Sequence, residues 1–239
     1  MKKEWGGEWG SFDGLFVPLH RKNNEVVMKK SSSIVVPEGV HEVLLHACCA
    51  PCSSAIVEWT VQHEVRPVIF YFNPNIFPRE EYELRKAESQ RHAESLGLTW
   101  IDGDYHHDEW LCEVRGLENE PERGSRCERC FYMRLLATAQ KAKELGIEYF
   151  TTTLASSRWK SIEQITRAGL AAEKAVTGTS FWAQNWRKGG LYERRNQLLK
   201  EYAFYNQLYC GCEFSMRSAS ASSQNEDATP STCLMDMRE

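Results

Sequence analysis

The chain has 239 residues, of which 42% are hydrophobic and 11% aromatic, enough for one sizeable domain with a core. Its net charge is -4 and its sequence pI is near 6.0, values that argue against a protein that coats nucleic acid non-specifically. Residues 1–10 contain no apolar signal segment, and no stretch is apolar over the length needed to cross a bilayer. We therefore predict a cytoplasmic protein without a membrane partner.

Short apolar runs alternate with helical patterns through the middle of the chain. Period-two alternation with β-branched or aromatic residues predicts strands, and apolar residues three or four apart predict helices. The predicted order is strand 42–46, helix 50–62, strand 67–72, helix 79–96, strand 99–102, helix 127–145, strand 148–154, helix 161–176 and helix 191–208. Repeated strand and helix units at this spacing indicate an α/β fold, a parallel sheet flanked by helices in a single domain.

The two ends of the sequence differ in composition from the middle. Residues 1–39 are rich in lysine, glycine and tryptophan without a regular pattern, so we predict an irregular N-terminal extension. Residues 217–239 have the low-complexity polar composition of a disordered tail. The chemistry is expected in an α/β domain over residues 40–216.

Seven of the nine cysteines fall into three clusters that are far apart in the sequence. The clusters are Cys48 and Cys49 with Cys52, then Cys127 and Cys130, and finally Cys210 and Cys212. Dispersed buried cysteines would not be expected to pair so closely, and thiolates are soft ligands that favour iron-sulfur clusters, zinc or copper(I). In a reducing compartment, clustered thiols indicate metal ligands or redox groups more than structural disulfides.

The first two clusters lie where a metal site is expected. Cys48 and Cys49 directly follow a strand, at the edge where open parallel sheets bind ligands, and Pro51 marks the turn into a helix. Two adjacent thiolates chelate one tetrahedral zinc awkwardly, whereas separate irons of a cubane can take both, which favours iron-sulfur. Cys127 and Cys130 begin a helix, whose N-terminus stabilises thiolates.

Cys210 and Cys212 are separated by a single glycine. Two thiols at this spacing can close a small strained ring, and strained disulfides are easily reduced, which favours a redox-active pair. One alternative stays open, namely that one of the two thiols ligates the cluster or a second metal.

Two stretches of the chain, residues 126–143 and 187–200, each carry five basic residues against one acidic residue. Aromatic residues are interleaved with them, as a surface that contacts phosphates and stacks on bases needs. The candidate RNA-binding residues are Arg126, Arg134, Arg187, Lys188, Arg194 and Arg195, and the interleaved aromatics are Phe131, Tyr132, Trp186 and Tyr192. On charge alone, two ordinary solvated helix faces are an equal alternative.

Five segments, taken in order, resemble the QueH-type epoxyqueuosine reductases. The segments are HACCAPCSS, YFNPNIFPREEYELRK, GLENEPERGSRCERCFYMRL, TTTLASSRWKSIEQI and WRKGGLYERRNQLLKEYAFYNQLYCGCEFS. Together they span roughly residues 40–216 without large gaps, so the resemblance is specific. It implies a Rossmann-like α/β domain related to the HUP group. The implied activity is the last step of queuosine biosynthesis, reductive removal of the epoxide oxygen from epoxyqueuosine at the wobble position of tRNA.

The resemblance also implies roles for the clustered cysteines. It assigns Cys48, Cys49, Cys127 and Cys130 to a [4Fe-4S] cluster, and Cys210 with Cys212 to a redox-active disulfide. Cys52 matches the family without a firm role, and holding an additional iron is the one we consider. The glycine-serine loop with which HUP relatives bind ATP is absent, because cysteines occupy that turn, so no ATP use is predicted.

The residues ahead of Lys160 depart from the family pattern. Where a Ser-Pro-like turn is expected, the chain has Ser156, Ser157, Arg158 and Trp159. The wall of the site is expected to differ in shape there.

Turning an epoxide into an alkene and water takes two electrons and two protons. A cluster with an accessible iron can bind the oxygen as a Lewis acid and pass single electrons, while a dithiol can deliver or store a pair that an external electron donor replaces. Lys160, Asp104, Tyr105 and His46 are candidate proton donors by position, although a buried core histidine describes His46 slightly better. The substrate nucleoside must leave its stack to reach the sheet edge.

Two other classes of function would use the same residues. A zinc-stabilised RNA-binding module would use the four cluster cysteines structurally. A thiol oxidoreductase would use Cys210 and Cys212 on a protein substrate. The metal content of the purified protein separates these classes from an iron-sulfur enzyme.

Overall fold

The computed structural model describes residues 34–207 and 209–219, with side chains to residue 216. The strands in this part of the chain are β1 (Glu42–His46), β2 (Arg66–Tyr71), β3 (Trp100–Asp102), β4 (Tyr149–Thr152) and β5 (Ser180–Phe181). The helices are α1 (Ala50–Gln62), α2 (Arg79–Ser95), α3 (His107–Glu113), α4 (Ser125–Leu145), α5 (Ile162–Ala175), α6 (Leu191–Glu201) and α7 (Glu213–Ala219).

All five strands of the described sheet are parallel, in the order β3-β2-β1-β4-β5. The central strand β1 pairs with β2 on one side, where Leu44 lies opposite Val68, and with β4 on the other, where Leu44 lies opposite Phe150. Because helices cover both faces, these strand residues are almost completely buried. The predicted α/β fold, a parallel sheet flanked by helices with the Rossmann strand order, is confirmed.

Local sequence signals account for three of the described helix ends. Pro51 lies in the first turn of α1, and α4 ends at Gly146, which has the left-handed φ of 71° that glycine adopts without strain. The side chain of Ser161 accepts a hydrogen bond from the backbone N–H of Gln164 and caps α5. Gly169 lets α5 approach β5, since a Cβ there would lie 2.2 Å from the ring of Phe181.

The last long helix is shorter than predicted. The sequence pattern extends to residue 208, but α6 ends at Glu201, and Ala203 has a φ of 50°. The rings of Tyr202 and Phe204 stack with centroids 5.2 Å apart, and both meet His92 of α2 edge-on. Packing on α2 therefore ends the helix, and an irregular segment carries the chain to the last cysteine pair.

Smaller differences concern short elements. The strand predicted over 148–154 ends at Thr152, and Thr153–Ser156 form a 3-10 turn that is capped by the Thr152 hydroxyl, which accepts a hydrogen bond from the N–H of Leu154. The sequence pattern did not predict α3, β5 or α7, because elements of two or seven residues are too short to show a period.

The domain boundaries stay predictions, since residues 1–33 and 220–239 lie outside the described part. No helix in the described ranges is long and apolar enough to span a membrane.

Candidate functional site

The site lies beyond the carboxyl ends of β1 and β4, where the strand order reverses direction. The chain after β1 leads to β2 on one side of this point, and the chain after β4 leads to β5 on the other side. Open α/β sheets bind ligands in the crevice between two such connections. His46 at the end of β1 is hydrogen-bonded to the hydroxyl of Thr152 at the end of β4, with 2.8 Å between Nδ1 and Oγ1. Just beyond these strand ends, the N–H of Cys48 donates to Oγ1 of Thr153 at 3.1 Å.

Three thiols converge at the start of α1. The Sγ atoms of Cys48, Cys49 and Cys52 all lie within 4.8 Å of one another. Cys49 is the extended residue before the helix, with φ -174° and ψ 162°, and Pro51 starts the helical turn that brings Cys52 back toward the strand end. The chain has therefore left the strand at this point, so the two adjacent thiols face one site, as the sequence predicted for a turn.

Hydrogen bonds make these three thiols chemically unequal. Bonds from Cys49 and Cys52 lower the pKa of the Cys48 thiol well below its ordinary value. The bond to Cys48 raises the pKa of Cys49 and raises that of Cys52 to about 12. The hydroxyl of Thr153 also donates to Cys48 Sγ at 3.3 Å. Cys48 is thus the thiol of this group that carries negative charge first.

A second group of thiols joins α4 to the segment before α7. Cys130 and Cys212 pack in one apolar cluster with Trp110 and Val114. Burial raises the pKa of Cys127 to about 11 and that of Cys212 to about 12, and raises the pKa of Cys130 as well. Cys127 is close enough to Cys130 and Cys210 for their charges to act on it. The structure therefore places Cys210 and Cys212 beside the α4 pair, with all four as free thiols.

Both thiol groups open onto one cavity of about 520 Å³. The cysteines that line it are Cys48, Cys52, Cys127, Cys210 and Cys212, and the basic side chains are Arg85, Arg123, Arg126, Arg134, Arg158, Lys160 and Arg195. Among the described lining residues the only carboxylate is that of Glu122. The cavity is therefore positive apart from its thiols, which suits an anionic ligand.

Lys160 carries a positive charge between the two thiol groups. Burial alone would lower its pKa, but negative charge at Cys210, Cys48 and Cys52 raises the pKa above its ordinary value. The side chain lines the cavity, and a hydrogen bond of 2.5 Å from the Arg187 guanidinium holds the Lys160 carbonyl. Of the predicted proton donors, Lys160 is the one that the structure places in the cavity.

The Cys210-Gly211-Cys212 turn is held by Arg85 of α2 and by Phe77 in the segment before that helix. Arg85 donates to the carbonyl oxygens of Tyr209 and Cys210, each at 3.4 Å, and the N–H of Phe77 donates to the Gly211 carbonyl at 2.8 Å. Gly211 has a φ of 123°, and a Cβ there would lie 3.1 Å from both Arg85 and Ile76. Sequence reasoning missed Arg85. The signal was its place four residues after Glu81, with which it forms a buried ion pair at 2.6 Å.

The other predicted proton donors lie outside the described lining of the cavity. Asp104 is exposed in the loop after β3, and the Tyr105 hydroxyl donates to the carbonyl of Ile76 at 2.7 Å. His46 is fully buried, its second ring nitrogen lies 3.0 Å from the Phe72 carbonyl, and burial lowers its pKa to about 3. His46 is therefore a core histidine with a hydrogen-bond partner for each ring nitrogen, the interpretation that the sequence favoured over a proton donor.

The two N-terminal arginines of the predicted RNA-binding set are nearly inaccessible. Arg126 is 3% exposed and donates to the carbonyls of Leu117, Glu118 and Glu120. Arg134 is 2% exposed and donates to the side-chain oxygen of Asn73. They line the inner part of the cavity and hold loops together, so they do not form an outer phosphate-contacting surface.

The C-terminal basic residues divide into bound and available charges. Arg194 forms ion pairs with Glu58 at 2.6 Å and with Glu201 at 3.0 Å, which neutralise its charge and join α6 to α1. Arg187 donates to backbone carbonyls of the loop before α5. Lys188 is exposed, and Arg195 lines the cavity.

The aromatic residues predicted to stack on bases are mostly core residues. Phe131 is 3% exposed and Trp186 is 1% exposed, so neither presents a ring face to a ligand at the surface. Phe131 on α4 and Trp186 in the loop before α6 both belong to the hydrophobic core, and both also contribute to the lining of the cavity. Tyr192 is 38% exposed and lines the cavity, as does Trp159, which the sequence marked only as a departure from the family pattern.

Comparison with known proteins gives a consistent family. Residues 43–218 match the family model described as epoxyqueuosine reductase QueH. The chain is 43% identical to a Histophilus somni protein named epoxyqueuosine reductase QueH over 182 residues, which cover 76% of this chain and 75% of the relative. It is 41% identical to a protein of that name from Acinetobacter baylyi over 79% of this chain and 87% of the relative. A Thermotoga maritima protein of that name is 38% identical over 73% of this chain and 90% of the relative. The resemblance read from the motifs is thus confirmed, and the chain belongs to the epoxyqueuosine reductase QueH family of oxidoreductases.

Proposed function

We propose that this chain reduces epoxyqueuosine to queuosine at the wobble position of tRNA, the last step of queuosine biosynthesis. The single observation that carries the proposal is that two thiol groups from distant segments share one basic cavity, at the sheet edge where the family's cysteine motifs fall. A structural zinc site would need one set of four thiols and no open cavity. Two thiol sets around a cavity fit a reaction that consumes electrons.

The reaction balances with the residues present. Reduction breaks both C–O bonds of the epoxide, forms a C=C bond and releases the oxygen as water, which takes two electrons and two protons. A dithiol that becomes a disulfide releases two electrons and two protons. Cys210 and Cys212, separated by Gly211 on a turn that Arg85 holds, are the pair that we assign to this role. An external electron donor then reduces the disulfide before the next turnover.

Thiols at the cavity and their buried neighbours fit the iron-sulfur cofactor that the motifs imply, since Cys48 and Cys127 line the cavity while Cys49 and Cys130 are buried near them. Cys48 and Cys49 on the strand side and Cys127 and Cys130 on the α4 side would hold a [4Fe-4S] cluster, and thiolates are the ligands that such clusters take. Cys52 lies within 4.8 Å of both strand-side thiols and would help to hold an additional iron. When bound, the cluster supplies single-electron transfer and a Lewis-acidic iron.

The chain's own side chains would bind and orient the substrate. We assign Lys160 to donate a hydrogen bond to the departing oxygen and to relay to it a proton released by the dithiol, because Lys160 lines the cavity and its charge interacts with Cys210 and Cys48. Asp104 and Tyr105 remain weaker candidates, since they lie outside the described lining. Gln207 has its side-chain nitrogen 3.1 Å from Cys49 Sγ and a buried side-chain oxygen without a partner among the described residues, which offers a hydrogen-bond acceptor to the nucleoside.

The substrate is a base within folded RNA, so the wobble nucleotide must be extruded to enter the cavity. The basic residues at the cavity would contact the phosphates that flank this nucleotide. Of the predicted RNA-binding residues, we assign these contacts to Arg195, which lines the cavity, and to Lys188, which is exposed to solvent. Modification of tRNA and reduction of thiols both belong to the cytoplasm, which we propose as the location.

The proposal is tested with protein purified without oxygen. Iron, acid-labile sulfide and zinc are measured, and the protein is then given epoxyqueuosine-containing tRNA and a chemical reductant. We expect brown protein with iron and sulfide, and queuosine in the digested tRNA. Colourless zinc protein without conversion would support a zinc-stabilised RNA-binding module and overturn the proposal. A protein that reduces a protein disulfide but leaves the tRNA unchanged would overturn it in favour of a thiol oxidoreductase.

A further inference from the structure

The loop between β4 and α5 presents an exposed tryptophan at the cavity. Trp159 is 68% exposed, the largest value among the large apolar side chains of the described residues, and it lines the cavity together with Arg158 and Tyr192. An exposed indole costs solubility and contributes little to the core. A ligand that covers the ring would account for its position.

The backbone that carries Trp159 is fixed by four hydrogen bonds from two arginines. Arg123 donates to the carbonyl of Trp159 at 2.7 Å and to that of Arg158 at 3.4 Å. Arg187 donates to the carbonyls of Ser157 and Lys160. The loop therefore has a defined backbone while its tryptophan faces outward. A fixed aromatic ring binds with a smaller entropic cost than one on a mobile loop.

Arg158 links two aromatic rings at this edge of the cavity. Its guanidinium carbon lies 5.6 Å from the centroid of the Trp159 ring and 5.0 Å from that of Tyr192, and it donates to the Tyr192 hydroxyl at 3.0 Å. The nearby cavity wall adds the positive charges of Lys160 and Arg195. Aromatic faces next to several cations match the bases and phosphates of single-stranded nucleic acid. An apolar peptide would leave those cations without partners.

We propose that Trp159, with Arg158 and Tyr192, forms a stacking site for an unpaired base of the RNA loop, adjacent to the base that enters the cavity. This inference rests on the proposed function, because it takes the tRNA anticodon loop as the ligand. A base in a duplex has both faces covered by its neighbours, so the site would select looped or extruded nucleotides over paired ones. Arg158 would stack or contact the adjacent phosphate.

Binding and turnover of designed variants test the site. The probes are an unmodified RNA hairpin with an anticodon-type loop and a blunt RNA duplex of equal length, titrated at fixed salt. Trp159→Leu removes the aromatic face, and Trp159→Phe keeps one. Leu170→Ala is the matched control, since Leu170 is 42% exposed on α5 and lies outside the cavity lining. Base stacking predicts a loss of roughly 5- to 150-fold in hairpin affinity for Trp159→Leu, with most of it restored in Trp159→Phe.

The outcomes decide between the inference and its alternatives. Equal hairpin affinity of wild type and Trp159→Leu, or an equal loss for hairpin and duplex, would overturn the stacking site. A loss of affinity for the hairpin but not for the duplex, with iron content unchanged, supports the stacking site. A higher KM with an unchanged kcat on epoxyqueuosine tRNA supports it as well. Wild-type turnover on that tRNA is measured separately. Absence of any wild-type turnover contradicts the proposed function, whereas the variant comparison contradicts only the stacking site.

Discussion

The guanidinium of Arg85 holds the backbone of Cys210, with Nη1 3.4 Å from the Cys210 carbonyl oxygen. Arg85 is itself 3% exposed and paired with Glu81, and its guanidinium lies 5.2 Å from the centroid of the Tyr209 ring. A buried ion pair on α2 therefore sets the position of the proposed redox turn, which α6 itself does not reach.

Substitution of Arg85 should separate positioning from stability. Arg85→Met leaves the Glu81 carboxylate buried without its ion pair, and we expect a loss of about 3–5 kcal/mol in the free energy of unfolding in urea. Arg85→Met with Glu81→Gln should recover most of that stability but not the turnover, because the carbonyls of Tyr209 and Cys210 stay unheld. Iron content, which should equal that of the wild type, is the control that the thiols around the cavity remain in place. Wild-type turnover in the stable double variant would show that Arg85 only packs α2.

The cysteine variants test the proposed division of roles. Cys127→Ala and Cys130→Ala should lose most of the bound iron, because each removes one of four thiolates from the cluster. Cys52→Ala should keep the brown colour and lose at most an additional iron. Iron, sulfide and the visible spectrum are measured after anaerobic purification. Unchanged iron and sulfide in both α4 variants would make the ligand assignment wrong.

Arg194 and Arg195 are adjacent in sequence and should behave differently. Arg194→Met breaks partly buried ion pairs with Glu58 and Glu201 and should cost about 1.5–3 kcal/mol of stability, the range for hydrogen bonds to charged groups, with little change in tRNA affinity. Within the part of the chain that the structure describes, Arg195 donates to the neutral side chains of Asn196 and Asn206 and pairs with no carboxylate. Arg195→Gln should weaken tRNA binding and reduce the slope of log affinity against log salt by about one. The reverse pattern would remove Arg195 from the RNA contacts.

Stability should fall with acid because of a buried histidine away from the site. Burial lowers the pKa of His92 from 6.5 to about 4 in the folded protein. Below pH 6.5 the unfolded chain binds the proton more readily, so stability present above pH 6.5 is lost as the pH falls toward 4. The loss between pH 8 and pH 5 is about 2 kcal/mol from this group.

His92→Leu is the matched variant, since it retains His46 and every other titrating group. Urea unfolding at the two pH values should show a smaller loss in the variant than in the wild type, whatever their offset at the higher pH. An identical loss in both proteins would mean that His92 is protonated as easily in the folded state as in the unfolded one.

Much of the architecture follows from local patterns. The run EVLLH predicts both ends of β1 correctly. The thiols that follow it predict where the site lies, because the carboxyl ends of parallel strands meet at one edge of the sheet. The early end of α6 does not follow. It depends on Tyr202 and Phe204 packing against His92, a contact between segments more than a hundred residues apart.

The candidate site shows the same division. The cysteine motifs mark the two thiol groups, but the sequence cannot say that Cys210 lies near Cys127, or that Arg126 and Arg134 point inward. Counting basic residues treats every arginine as exposed, whereas backbone carbonyls and carboxylates from other segments bind several of them. Trp159, the exposed ring, lies in neither of the two basic stretches.

The most direct test is a single turnover without an external donor. Reduced, iron-loaded protein is mixed without oxygen with an equal amount of epoxyqueuosine-containing tRNA, and the nucleosides and the free thiols are measured by mass spectrometry. We predict queuosine formation together with loss of the Cys210 and Cys212 thiols, and no queuosine from the Cys210→Ser, Cys212→Ser double variant that still holds its iron. Iron-loaded wild-type protein that forms no queuosine, or a double variant that forms as much as the wild type, would contradict the account.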